Sequence, residues 1–237
     1  MLFFYLRHGD PIYDPDSLTE LGIEQAEALS KRLSLYGLDK IYSSTSNRAI
    51  MTAKPTCEKL GLEPELLDFT NEHYALMELS YFSNNERKWL FQDGNIVNLF
   101  SDKEIIDLGD KWYEHPKFKE YDYKKGIERI AAESNKFFKE LGYERIDGTG
   151  KYKVIKPNNQ RVALFAHQGF GIAFLSHILN MPYPAFATHF DICHTGMTVI
   201  DFSEIDGYST PKVLTLSSDS HLYREGLSTL YNYYVEF

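Results

Sequence analysis

Cysteine is scarce: Cys57 and Cys193 are the only two in 237 residues. They lie far apart and match no metal-ligand spacing, and spacing alone leaves a disulfide open. A chain this long buries roughly 70–75% of the surface its unfolded form exposes, so its core needs no covalent staple. Positive charge is in deficit, with 25 Lys and Arg against 34 Asp and Glu and a formal net charge of −9. That balance argues against nucleic acid or an anionic membrane as partner, because both call for a basic footprint. Long apolar runs are missing too. Met1–Leu6 is apolar but stops at Arg7 and His8, too short for a secretory signal and without a basic lead, and nothing reaches the length of a membrane span. A cytoplasmic protein is expected. There is no internal repeat and no low-complexity tract.

What the chain does have is an ordinary globular balance, 43% hydrophobic and 25% charged, with an unusual load of 17 Tyr and 16 Phe. Leu2–Leu6 is a continuous apolar run, the pattern of a buried parallel strand. Leu18 to Tyr36 has helical spacing, with Thr19 as N-cap and Gly37 as stop. Asp39–Ser43 reads as a second strand. Ser46 caps a helix carrying Ala49, Ala53, Cys57 and Leu60, ended by Gly61 and bent at Pro55. Glu65–Asp68 is a short third strand. From Phe69 to about Lys125 the pattern weakens into polar and aromatic residues, including Trp89 and Trp112, more readily read as packing than as a ligand platform. Ile127–Leu141 is helical. Lys151–Gln160 reads as a polar loop, Arg161–Ala166 as a strong strand, and an apolar helix follows it. Met197–Phe202 and Lys212–Ser217 read as an antiparallel pair. Strands alternating with helices imply an α/β fold, a three-layer α/β/α sandwich with a mostly parallel central sheet. The reading is one domain over 1–237, with a cap-like helical and aromatic insertion at about 69–125 over the site.

Two histidines directly follow the two best strands: His8 after Leu2–Arg7 and His167 after Arg161–Ala166. In open α/β sheets ligands bind beyond the carboxyl ends of strands, so both imidazoles are expected at one edge. Arg48 falls in the first turn of the Ser46-capped helix, where free N–H groups and the helix dipole favour an anion. A cation placed there makes sense if an anion sits there too.

Leu6-Arg7-His8-Gly9 is similar to the signature of the histidine phosphatase, or phosphoglycerate-mutase-like, superfamily. Leu18-Thr19-Glu20-Leu21-Gly22 resembles that family's first helix. Tyr42-Ser43-Ser44 through Arg48-Ala49 and Thr52-Ala53 resembles its second-arginine segment, and Ala166-His167-Gln168-Gly169 its second-histidine segment. The resemblance implies His8 as the nucleophile that becomes phosphohistidine. It implies Arg7, Arg48 and His167 around the phosphoryl oxygens, with the Gln168 N–H facing them. It also implies a carboxylic acid after the third strand, which Leu76-Met77-Glu78 matches at Glu78, with Glu72 as competitor. The chemistry has its own logic: a phosphate dianion repels nucleophiles, so forked cationic donors must neutralise it before an imidazole approaches.

Gln168 stands where many members have Gly, and which residue of Asp10–Asp16 contacts phosphate is open. His194 and His221 are possible pocket residues. His189, Asp191 and His194 lack a further strongly spaced ligand, so no metal is expected, nor any cofactor. The implied partner is a small-molecule phosphate ester, with inorganic phosphate as product; oligomeric state is open. A phosphomonoester hydrolase is expected ahead of a bisphosphoglycerate-dependent mutase or a non-catalytic phosphate-binding module. The stretch between Gly9 and the first helix holds no Trp, Asn or Arg, unlike the mutase branch, and the residues after Glu78 begin uncharged. That leaves room for a bulkier, less charged ester, although Arg87 or Arg129 could fold inward.

Overall fold

Every side chain from Phe3 to Leu6 is buried, which requires a strand covered on both faces. The structure, a computed structural model that describes residues 1–83 and 85–232, supplies both covers. In chain order the principal elements begin with β1 (Leu2–Arg7), α1 (Glu20–Tyr36), β2 (Lys40–Ser44), α2 (Asn47–Leu60) and β3 (Glu65–Leu67). There follow α3 (Glu72–Glu78), α4 (Gly94–Phe100), α5 (Lys103–Leu108), α6 (Tyr123–Glu140), β4 (Arg161–Ala166) and α7 (Gln168–Ile178). The chain goes on through α8 (Tyr183–His189), β5 (Met197–Asp201), β6 (Lys212–Ser218) and α9 (Ser220–Arg224). The central sheet has the order β6-β5-β1-β4-β2-β3. β1, β4, β2 and β3 pair in parallel, and β5 runs antiparallel to both its neighbours.

The two-residue period of a strand sorts its side chains into two cores. Phe4, Leu6, Ala163 and Phe165 pack on Leu29 and Leu33 of α1 and on Ala53 and Cys57 of α2. Phe3, Tyr5, Val162 and Leu164 pack on Phe137 and Phe138 of α6 and on Phe170 and Phe174 of α7. Each fully buried Phe contributes about 1.5–3 kcal/mol relative to exposure, so these faces hold the sheet between its helices. The expected α/β/α layering is what forms. Thr19 caps α1 by accepting from the Gly22 N–H, and Gly37 ends it in the left-handed region, both as read from sequence.

The segment from Phe69 to Lys125 folds into α3, α4, α5, a β-hairpin (Ser80–Ser83 with Glu86–Trp89) and short 3-10 turns. Trp112 organises much of it, stacking on Tyr123 (5.6 Å) and Tyr183 (5.3 Å) and meeting Phe100 and Phe118 edge-on. These rings belong to the same core as Phe3 and Phe174. Several local expectations change. The polar stretch at 151–160 contains a strand, Tyr152–Val154, in a small sheet with Tyr143–Arg145, Tyr208–Ser209 and Glu204–Ile205. Only Tyr152 of that strand is fully buried, which is why it reads as loop. The stretch after Asp10 forms a hairpin of Pro11–Tyr13 with Asp16–Leu18. α2 runs to Leu60 with Pro55 inside it, and α6 starts at Tyr123, a turn before the apolar pattern begins.

Candidate active site

Parallel pairing places the two signature histidines together. Arg7 at the end of β1 is in register with Ala166 at the end of β4, so the next residues, His8 and His167, emerge side by side. Their ring centroids are 5.2 Å apart, and His194, just ahead of β5, comes within 5.7 Å of His8. The backbone around His8 is pinned. His8 N–H donates to the Ala166 carbonyl (3.0 Å), its carbonyl accepts from Thr195 N–H (3.2 Å), and Gly9 N–H donates to Thr52 Oγ1 (3.0 Å). Gly9 and Gly22 let this loop press against α1; a Cβ on Gly22 would lie 2.2 Å from the Asp10 carbonyl oxygen.

One contact fixes the chemistry of His8. Its Nδ1 lies 2.7 Å from the Gly9 carbonyl oxygen, which can only accept. Nδ1 therefore carries the proton, and Nε2 keeps its lone pair without a hydrogen-bond partner among the described residues. Burial, aided by His167 and Arg7, holds the His8 pKa well below its ordinary value, so the ring is neutral near pH 7. His167 is neutral for the same reasons: burial first, then Arg48 and Arg7.

Arg48 is buried at the start of α2 and held from three sides. Nη1 pairs with Asp16 Oδ1 (2.7 Å), Nη2 donates to His167 Nδ1 (3.2 Å), and the guanidinium lies 5.4 Å from the Tyr13 ring centre. The anion that the sequence argument placed at this helix start is a carboxylate. Asp16 Oδ2 accepts from the Asn47 N–H (2.7 Å), and Ser46 itself makes no side-chain cap. His167 passes its other nitrogen to Ser44 Oγ (2.8 Å), is fully buried and does not line the cavity. In this arrangement it touches Arg48, not the open space where phosphoryl oxygens were expected.

Arg7 sends Nη1 to the Ile192 carbonyl (2.7 Å) and to Asn232 Oδ1 (2.6 Å), and Nη2 to His194 Nε2 (2.7 Å). Burial pushes the His194 pKa down to about 3, so that nitrogen accepts as a neutral imidazole. Asn232 donates to both oxygens of Asp191 (2.9 and 2.7 Å), and the Gln168 amide donates to the same carboxylate (2.5 Å). Among the described residues the buried Nε–H groups of Arg7 and Arg48 have no partner, two donors left over for an anion.

All of this opens on one cavity of about 800 Å³. Arg7, His8, Asp10, Asp16, Arg48, Gln168 and His194 line it, joined by Asn71, Glu72, His73, Leu76, Arg87, Trp89, Gln92 and Asn232. Two sequence expectations are corrected here. Glu78 does not line this cavity. It faces α6, where Arg129 Nε donates to it (2.8 Å) and Gly126 lies too close to admit a Cβ. Residues 72 and 78 are six positions apart on α3, about 240° of helical rotation, so only one can face the cavity. Glu72 is that one, and each of its oxygens accepts a backbone N–H at the start of α7, from Gly169 and Phe170 (both 2.9 Å). Burial raises its pKa, against those two hydrogen bonds. His221 also lies elsewhere, behind the site, bonded to Thr195 Oγ1 (3.0 Å) beside α1.

Sequence reading missed Asn232, Asp191, Trp89 and the placing of Arg87. Asn232 reaches Arg7 across 225 positions and Asp191 holds Asn232 across 41, with no local pattern to mark either. A signal for Glu72 was present: Asn71 is a good N-cap, and it does cap α3 through the His73 N–H.

Comparison with solved structures places the fold among phosphatases. A phosphoserine phosphatase from Entamoeba histolytica, in complex with 3-phosphoglyceric acid, is 18% identical with a TM-score of 0.60, over 93% of this chain and 98% of that one. A mycobacterial glucosyl-3-phosphoglycerate phosphatase with VO3 gives 18% identity and 0.59, over 92% and 99%. A putative alpha-ribazole-5'-P phosphatase from Escherichia coli gives 20% and 0.56, over 92% and 97%. No curated protein matches the sequence. Residues 6–92 match the model of the histidine phosphatase superfamily (branch 1). No helix among the described residues is long and apolar enough to cross a membrane.

Proposed function

We propose that this protein is a phosphomonoester hydrolase working through phosphohistidine on a small phosphorylated metabolite. The observation that carries the reading is the His8 tautomer: the Gly9 carbonyl holds the Nδ1 proton and leaves Nε2 free in a cationic cavity. Nε2 attacks phosphorus in line as the ester P–O bond breaks. Arg7 and Arg48 hold the equatorial oxygens, where transition-state charge collects. Glu72, protonated, gives its proton to the departing alkoxide. The resulting ring is cationic, and the Nδ1–H bond to Gly9 supports that charge. Water then attacks phosphorus, Glu72 takes the water proton, and the P–N bond electrons return to Nε2. His167 acts through Arg48, orienting its fork.

The phosphatases of like fold, named for phosphoserine, glucosyl-3-phosphoglycerate and alpha-ribazole phosphate, fit this chemistry. Incubation with 4-nitrophenyl phosphate should release nitrophenol and, on acid-free quenching, leave acid-labile phosphate on His8. His8→Ala should lose at least about 10³-fold in rate, with the circular dichroism spectrum retained. Turnover by that variant, or stable phosphate elsewhere, would remove the nucleophile. The bisphosphoglycerate-dependent mutase is the alternative that Arg87 in the cavity favours. Primer-dependent isomerisation of 3-phosphoglycerate with negligible phosphate release is the result that would select it.

A further inference from the structure

The cavity is larger than a phosphate needs, and one part of its lining comes from α3 and the Ser80–Trp89 hairpin. Trp89 fixes that hairpin. The outer edge of its ring abuts Gly169, where a Cβ would come within 2.3 Å of Cη2, beside the N–H that Glu72 accepts. Residues two apart on a strand share a face, so Arg87 follows Trp89 into the cavity while Lys88 turns away. Arg87 Nη1 donates to Ser80 Oγ (3.1 Å), and Ser80 in turn donates to the Leu76 carbonyl. One arm of the guanidinium is thus anchored, and among the described residues the rest of the fork has no partner.

No carboxylate answers Arg87. Asp16 is taken by Arg48, Glu72 by the two N–H groups of α7, and Asp10 by Thr19 Oγ1 (2.7 Å). Among the described residues Arg87 forms no ion pair, although it is one of three arginines lining the cavity. We propose that Arg87 is a specificity residue, and that the substrate is a phosphate ester whose alcohol portion carries a carboxylate. A planar carboxylate matches the fork in shape and its single charge in magnitude, whereas a second phosphate dianion would leave charge uncompensated here. Trp89 beside it gives the carbon skeleton an apolar wall. This corrects the expectation of a less charged ester, and it rests on the hydrolase reading above.

The test compares kcat/KM for O-phosphoserine and its decarboxylated counterpart O-phosphoethanolamine, in wild type, Arg87→Ala and Arg87→Lys. The ratio cancels any loss of folded enzyme. Wild type should prefer the carboxylated ester. Arg87→Ala should collapse that preference about 10- to 100-fold, through KM, as expected for a lost charge-assisted hydrogen bond, with Arg87→Lys between the two. A ratio near one in wild type, or a ratio unchanged in Arg87→Ala, overturns the inference while leaving the hydrolase intact. So does a preference for a bisphosphorylated ester over the carboxylated one. Failure to hydrolyse any ester, aryl phosphate included, with no phosphate on His8, sinks the hydrolase reading itself.

Discussion

At the scale of single residues, burial keeps His8, the proposed nucleophile, neutral by taking water away from it. With the His8 pKa held well below 6.5, the imidazole stays neutral as pH falls through that value, so the acidic limb of kcat/KM lies well below pH 6.5. Glu72 must start protonated, and its raised pKa moves the basic limb above the ordinary carboxylate range. Alkyl phosphates should therefore turn over faster at about pH 5.5 than at about pH 8. A rate that instead climbs through pH 6.5 would put a protonated His8 in the resting enzyme. Glu72→Gln should slow alkyl phosphates by roughly 10²- to 10⁴-fold and aryl phosphates much less, since a nitrophenolate leaves without a proton. Glu78→Gln should act on stability, costing roughly 1–3 kcal/mol because it strands the Arg129 charge in a largely buried place. Urea melts of the two variants separate the roles; a leaving-group effect in Glu78→Gln would restore it as the acid.

At the scale of elements, α3 and the hairpin form one wall of the cavity, which the proposed ester would meet, and Gly169 is where that wall touches α7. Gly169→Ala should push Trp89 outward and loosen the Glu72 bonds at the head of α7. Tryptophan emission, which comes only from Trp89 and Trp112, should shift, and kcat/KM should fall at least about 10-fold, since small displacements in a positioned site are costly. Unchanged emission would mean the ring is not seated there. The elements that carry chemistry on strand ends were readable in advance, because β1 and β4 are continuous apolar runs and α1 and α2 have helical spacing with glycine stops. The wall was not. Its hairpin strands are four residues each, and Trp89 is seated against Gly169 of α7, far away in sequence, so no local rule sets its direction. α3 lies in the stretch from Phe69 to Lys125 where the sequence pattern weakens, and nothing local told which of its two glutamates turned inward. That depended on Gly126 and Arg129 of α6, some fifty positions away.

At the scale of the whole molecule, several buried histidines make a common response to acid. His177, His194 and His221 have pKa values depressed by burial to about 4, 3 and 4, and His8 and His167 are lowered in the same direction. Above pH 6.5 these groups are neutral in both folded and unfolded chains and contribute no slope. Below it the unfolded chain takes protons that the folded one refuses, so stability falls with pH, by about 1.4 kcal/mol per pH unit per histidine. Glu72, with a raised pKa, opposes this with one proton of its own. Urea midpoints should drop steadily from pH 6.5 to about pH 4.5, and a flat profile would contradict the buried neutral state. The sheet order has another consequence, which concerns synthesis. β1 is the earliest strand of the central sheet to be made, yet it sits between β4 and β5, strands that begin at Arg161 and Met197. While the ribosome works through the intervening residues, Phe3, Phe4, Tyr5 and Leu6 are displayed with both strand edges open, a sticky template for any neighbouring chain. The residues that lead into His8 thus wait longest in their sheet for both neighbours, and a chaperone that holds extended apolar segments would be expected to engage this segment.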